Sequence, residues 1–296
     1  MRILHFSDIH VGGGWARVPR AKWLGKRAVG AANLLAGRGK RFADGPRKLA
    51  ALARFREEQR IELVLFTGDY TALGLEPEFA SARAAIAPLL AAPGGFVGIP
   101  GNHDIYSADV RRERTFLRHF GDTLRTDRPE LSVDDGWPLV RLFDGGVAVV
   151  ALDSTRPNPY PWRSSGRLPP RQLASLARVL DDRTVAGCFV FVLNHYPPRL
   201  ADGRRDRPFH RLVNDDALLA ACGAIRRGAL LSGHVHHRYW LRVPPTGTPL
   251  FCSGSATMTG GEGLWLFQTD GSAMQAIPGH FRDGAYRLEP SGAVAL

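Results

Sequence analysis

The chain has 296 residues, 39 of them Lys or Arg and 28 Asp or Glu, for a formal net charge of +11. Hydrophobic residues at 44% and charged residues at 23% describe an ordinary folded chain and exclude disordered and collagen-like classes. No apolar run approaches the roughly 18 residues of a spanning helix. Cys188, Cys222 and Cys252, an odd number at wide spacing, support neither a disulfide framework nor a cysteine zinc site. With no hydrophobic leader after Met1-Arg2, a reducing cytoplasm is the expected compartment.

Taken in chain order, Arg2–Phe6 reads as a strand that runs into Ser7-Asp8-Ile9-His10. The segment from Gly12 to Lys48 then gathers ten Lys and Arg against one acid, Asp44, and so carries most of the net charge. Apolar residues are interleaved, Trp15 and Trp23 among them. At helical spacing Leu24, Ala28, Ala31 and Leu35 share one side while Lys22, Lys26 and Asn33 face away. The pattern predicts an imperfect basic amphipathic helix, weakened by Gly25 and Gly30. It is either a solvated surface excursion or a patch for an anionic partner.

Further apolar runs follow: Ile61–Phe66 into Gly68-Asp69, Phe96–Ile99 into Gly101-Asn102-His103-Asp104, Val147–Leu152, Phe189–Leu193 into Asn194-His195, and Ala229–Leu231 into Gly233-His234. Their length and Val/Ile/Leu/Phe content predict strands buried on both faces. Helical stretches are expected at Arg47–Gln59, Glu78–Leu90, Leu173–Leu180 and Ala217–Arg226. Alternation of this kind predicts an α/β chain covered on both faces, one domain over residues 1–296 with an insertion at about 12–48. The tail from Arg238 onward, split by Pro244-Pro245 and Gly260-Gly261, predicts antiparallel strands completing a second sheet.

The chemistry-bearing residues stand just after these strands: Asp8 and His10, Asp69, Asn102 and His103, His195, His234 and His236. Loops at the carboxyl ends of strands in an α/β sheet converge on ligand sites. Imidazole, carboxylate and carboxamide donors together suit borderline or hard divalent metals such as Mn, Fe or Zn. Seven donors drawn from these eight residues are too many for one tetrahedral ion but suit two ions sharing a carboxylate, a clamp for in-line attack on phosphorus. A lone histidine beside a strand is more often structural, so the weight lies in the combination. His5, His119, His210 and His280 read as structural or surface residues.

Asp8-Ile9-His10, Gly68-Asp69, Gly101-Asn102-His103-Asp104, Asn194-His195 and Gly233-His234-Val235-His236 resemble the five signature blocks of calcineurin-like metallophosphoesterases. The resemblance runs from Met1 to about Ser255 and implies a four-layer α/β/β/α sandwich with a dinuclear metal site. It implies that Asp8, His10 and His236 hold one metal, that Asn102, His195 and His234 complete the second, and that Asp69 bridges. It also implies that His103 stands beside the leaving-group oxygen with Asp104 orienting its ring. The sequence departs from many members in having Ala72 three residues after Asp69 and in the long insertion between the first two blocks.

Within the family the chain is similar to small bacterial members, which include cyclic-nucleotide phosphodiesterases and UDP-2,3-diacylglucosamine pyrophosphohydrolases. The run Trp23-Leu24-Gly25-Lys26-Arg27 with Asn33-Leu34 resembles the latter. The resulting expectation is a phosphodiester or pyrophosphate hydrolase working at an anionic membrane surface. Its basic cap would be Lys22, Trp23, Lys26 and Arg27, and nucleic acid is not the expected partner. A cyclic-nucleotide phosphodiesterase, a nuclease and, in another class, a catalytically silent scaffold are the alternatives; the presence of all seven donors and of His103 argues against the scaffold.

Overall fold

The computed structural model describes residues 1–296, the side chain of Asp134 excepted. The strands are β1 (Arg2–Phe6), β2 (Leu63–Phe66), β3 (Gly95–Gly98), β4 (Leu139–Phe143), β5 (Val147–Ala151), β6 (Phe189–Leu193), β7 (Gly228–Ser232), β8 (Arg238–Val243), β9 (Thr248–Ser253), β10 (Leu264–Thr269), β11 (Met274–Arg282) and β12 (Ala285–Leu288). They form two sheets, ordered β12-β11-β10-β1-β2-β3 and β4-β5-β6-β7-β9-β8. Within them β1, β2 and β3 are parallel neighbours, as are β5, β6, β7 and β9.

Alternation along each strand builds the layers. Ile3, Leu63, Leu65, Val149, Phe191 and Leu231 face a core shared by the two sheets. Their neighbours Leu4, Val64 and Phe66 turn outward onto Leu49, Leu52, Phe55 and Phe79 of the helices Gly45–Glu58 and Glu76–Ala85. On the other side Val150, Val190, Val192 and Leu230 pack on Leu176, Val179 and Leu218 of the helices Pro170–Asp181 and Asp215–Cys222. The result is the α/β/β/α sandwich. Every residue of β2 and β6 is buried, as continuous apolar runs require.

Three expectations are corrected. The stretch Glu78–Leu90 is two helices, Glu76–Ala85 and Ala87–Leu90, because Pro88 offers no N–H to continue the first. The tail divides between the sheets: β8 and β9 join the second, with β9 parallel to β7, whereas β10 to β12 extend the first from β1.

The third correction concerns the insertion, which forms short 3₁₀ turns around the helix Lys26–Leu35. Leu24 and Leu35, on the apolar side of the expected helix, are 78% and 76% exposed, whereas Lys26, expected to face away from that side, is buried, as is Arg27. Gly30 decides the docking face. A Cβ there would lie 2.4 Å from the Tyr106 hydroxyl and 2.7 Å from Leu73, so the helix approaches on its glycine. Arg27, Ala31 and Leu34 share that face at helical spacing, and Ala31 and Leu34 pack on the cluster of Leu73, Leu75 and Tyr106. Among the described residues no helix is long and apolar enough to cross a membrane.

Candidate metal centre and its pocket

The loops after β1, β2 and β3 and those after β6 and β7 leave parallel strands at one edge of the sandwich, which brings the sequence-identified donors together. The backbone is strained to achieve this. Asp8, His10, Asp69, His234 and His236 all have left-handed φ values between 42° and 69°. Such conformations cost free energy in non-glycine residues and persist where the surroundings fix them. Gly233 permits the closest approach: a Cβ there would lie 2.3 Å from Asp8 Oδ2 and 2.0 Å from Ser7 Oγ.

Two groups of donor atoms result. In the first, His236 Nε2 is 3.1 Å and His10 Nε2 3.6 Å from Asp8 Oδ1, the two imidazole nitrogens are 2.8 Å apart, and His10 Nε2 is 3.6 Å from Asp69 Oδ2. In the second, His195 Nε2 is 3.4 Å from Asp69 Oδ2, 3.0 Å from Asn102 Oδ1 and 3.2 Å from His234 Nδ1. Asp69 Oδ2 thus belongs to both groups, while its Oδ1 accepts the His103 backbone N–H at 2.7 Å.

The hydrogen bonds around these groups aim their lone pairs. His195 Nδ1 meets the Thr67 carbonyl at 2.7 Å and His234 Nε2 the His210 carbonyl at 2.9 Å. A carbonyl only accepts, so both rings donate there and turn His195 Nε2 and His234 Nδ1 toward each other. Asp8 Oδ2 accepts the His234 N–H at 2.9 Å, but its buried Oδ1 has no hydrogen-bond partner. Converging imidazole nitrogens and an orphaned carboxylate oxygen suit a cation between them, and these donors fit two divalent metals. Burial opposes the charge on Asp8 and Asp69, yet the surrounding histidines hold both carboxyls below the usual range. Burial alone would lower His195; the adjacent Asp69 carboxylate raises it to about 9.

His103 and Asp104 part company here. The ring of His103 donates from Nδ1 to the Ala72 carbonyl at 2.5 Å, so Asp104 does not orient it. Asp104 instead accepts the backbone N–H groups of Asp69, Tyr70, Thr71 and Gly101 at 2.8–3.1 Å, tying the loop after β2 to the loop after β3. Burial and the neighbouring Asp69 charge push its carboxyl up to about 7, against the pull of those amides. Burial, with help from His10 and Arg38, holds His103 well below the usual histidine range against the pull of Asp69.

The centre opens into a cavity of about 660 Å³. The insertion supplies one wall. Lys26 is 7% exposed, has no hydrogen bond or ion pair with a described residue, and holds its ammonium 4.3 Å from the Tyr106 ring centroid. Burial pulls its pKa down to about 8 although Asp69 opposes the shift. Arg38 lines the same wall, and Phe42 lays its ring edge-on to His10 with centroids 5.0 Å apart.

The other expected cap residues do not reach the cavity. Lys22 pairs with Asp109 at 2.8 Å and with Glu113, Arg27 donates to Asp109 at 2.9 Å and to the Leu73 and Gly74 carbonyls, and Trp23 packs edge-on to Trp15. His210, read from sequence as structural or surface, lines the cavity and stacks on His234 with centroids 4.0 Å apart. Trp162, Arg207 and Phe209 were also missed. All lie in the loops after β5 and β6, so the strand-end rule that located the metal donors could have found them.

A family profile described as calcineurin-like phosphoesterase matches residues 1–238. No curated protein matches in sequence. Among solved structures, a dimetal phosphatase from Danio rerio is similar at 14% identity and a TM-score of 0.61, over 99% of this chain and 98% of that one. The purple acid phosphatase PPD1 from yellow lupin (Lupinus luteus) is similar at 12% identity and a TM-score of 0.60, over 97% of this chain and 52% of that one. GAP50 of Plasmodium, named as an anchor in the inner membrane complex, is similar at 10% identity and a TM-score of 0.54, over 100% of this chain and 88% of that one.

Proposed function

We propose, for a chain that belongs to the calcineurin-like phosphoesterase family and is a metal-dependent phosphoester hydrolase, that the bond it cleaves is a phosphodiester or a pyrophosphate. In this reading Asp8, His10 and His236 hold one divalent ion, Asn102, His195 and His234 hold a second, and Asp69 serves both. The donor types suit Mn, Fe or Zn. Two ions so held supply polarisation of the phosphoryl oxygens and a water of lowered pKa. The observation that carries the reading is Asp69 Oδ2, one carboxylate oxygen shared by two converging donor sets.

The protein's own groups divide the remaining work. Lys26 and Arg38 face the charge of the phosphoryl group from the insertion. His103 Nε2 stands on the leaving-group side, and to donate a proton it must carry a second one, which substrate charge would favour. A small phosphate monoester would leave much of the cavity of about 660 Å³ unfilled, which supports a larger ester. A second, largely apolar cavity of about 580 Å³, lined by Leu34, Phe42 and Leu49 and touching His10, supports an apolar portion. None of the similar structures above is named for a lipid substrate, and UDP-2,3-diacylglucosamine stays with the resemblance that suggested it.

Residues 1–296 act as one domain in this reading, supported by the C-terminal strands β10 to β12 sharing a sheet with β1. Three unpaired cysteines support a reducing compartment such as the cytoplasm. Exposed Leu24, Val29 and Leu35 beside exposed Arg17, Arg20, Lys40 and Arg41 support contact with an anionic membrane surface.

The test is hydrolysis of bis(p-nitrophenyl) phosphate and of p-nitrophenyl phosphate by chelated protein titrated with Mn²⁺. The expected result is metal-restored cleavage that favours the diester. Monoester preference overturns the diester reading, and silence on both with two metals bound overturns the assigned centre.

A further inference from the structure

We infer that the cavity ends in a nucleobase subsite formed by Trp162 and Phe209, so that the ester carries a nucleoside. The inference rests on the phosphoesterase reading of the same cavity.

The described residues include four aromatic side chains that are largely exposed, and three of them, Tyr160, Trp162 and Phe209, gather at this rim. Trp162 is 68% and Phe209 57% exposed, and both line the cavity. Tyr160 stacks on Trp162 with centroids 5.1 Å apart and planes 16° apart, which braces the indole from behind. A flat ring surface of this kind left in water beside a charged centre is a binding surface by its cost alone.

The rim is built rather than loose. Ser164 N–H donates to the Phe209 carbonyl at 2.8 Å, and Gly166 pairs with Leu212 in an isolated bridge, so the two loops form one unit. Buried Asn158 donates to the Ser165 carbonyl at 3.0 Å, and Arg156 donates to Ser165 Oγ at 2.7 Å, fixing the turn that presents Trp162.

The chemistry of this wall selects a base over a lipid tail. Planar aromatic faces suit a planar ring, whereas the separate cavity under the insertion offers the aliphatic lining a chain would fill. Ser164, Asp206 and His210 lie along the same wall and offer donors and acceptors to a base edge, which an alkyl group could not use. Phosphate over the metal donors, Lys26 and Arg38 on one side, and a stacked base on the other account for both walls.

The test compares AMP, ribose 5-phosphate and phenyl phosphate as competitive inhibitors of bis(p-nitrophenyl) phosphate hydrolysis by the Mn²⁺-loaded protein. Stacking of one base predicts that AMP inhibits roughly 5- to 150-fold more tightly than ribose 5-phosphate. Trp162→Ala should bring the ratio near one, and Trp162→Phe should restore part of it. Because the indole is mostly exposed, neither change removes core packing. Equal inhibition by AMP and ribose 5-phosphate overturns the subsite, as does a ratio that survives Trp162→Ala. Phenyl phosphate matching AMP overturns the nucleobase in favour of a general aryl site. A loaded protein that cleaves no diester brings down the diester reading on which the inference rests, a failure distinct from the others.

Discussion

The strand-end loops and the insertion both deliver residues to one cavity, but by opposite physical means. The loops inherit their positions from parallel strands and hold them with strained backbone: Asp8, His10, Asp69, His234 and His236 are all left-handed. The insertion has no strand beneath it. It is held by Gly30 against Tyr106 and by buried cations, Arg27 spending itself on Asp109 and three carbonyls. The difference separates two tasks. The loops place donor atoms to within tenths of an ångström, as metal binding requires, and the insertion places charge, which tolerates more slack.

That division predicts where substitutions hurt most. His103→Ala should lower turnover about 10²- to 10⁴-fold with metal content unchanged, the loss expected of a proton-transfer group. Asp104→Asn should instead cost about 10- to 100-fold and also weaken Mn²⁺ binding, because it frees the amides that pin Asp69. The pair is read by turnover together with metal content. Metal loss in His103→Ala, or full metal retention with unchanged turnover in Asp104→Asn, would reverse the two roles.

Within the insertion, the inward and outward faces should separate cleanly. Lys26→Ala removes an unpaired ammonium from the cavity and should raise KM about tenfold, the worth of one charge-assisted contact, while leaving vesicle association unchanged. Leu24→Asp with Leu35→Asp should do the reverse, lowering binding to anionic vesicles and sparing hydrolysis of a soluble diester. If Lys26→Ala changes only vesicle binding, the helix does not serve the cavity.

The same contrast explains what could be read from the sequence. The five strand-end motifs were legible because each donor follows an apolar run of fixed direction, and parallel pairing converts that order into proximity. The α/β class was legible because strands and helices alternate and the central strands are apolar throughout, whereas the four layers came from the family resemblance. The insertion was misread because hydrophobic patterning assumes that leucine goes in and lysine out. Here a glycine contact and ion pairs to Asp109, 82 and 87 residues away in the chain, chose the face, and such contacts leave no periodic trace. β4, β11 and β12 were not picked out: β4 and β12 lie at sheet edges, where mixed burial blurs the apolar run, and β11 is broken up by Gln275, Pro278, Gly279 and His280. Trp162 and His210 were missed because their loops read only as proline- and arginine-rich connections.

The smallest expected effect tests how the insertion is fastened. Burial alone would raise the Asp109 carboxyl, but Lys22, Ser107 and Arg27 hold it below the usual carboxylate range. Its unfolded value is about 3.9. Between that and the lower folded value the unfolded chain binds more protons, so stability rises with pH there. The contribution is complete above about pH 5 and is lost as pH falls through the folded pKa. Asp109→Asn keeps the shape and removes the charge, so it should destabilise the protein by about 1–2 kcal/mol at pH 7, where Arg27 is left buried with carbonyls alone. The difference in Tm between parent and variant should shrink steadily as pH falls from about 5 toward 2, where the unfolded chain's carboxyl is neutralised before the folded one. A constant difference across that range would mean that Asp109 acts through shape, and that Gly30 and the apolar contacts fasten the helix without it.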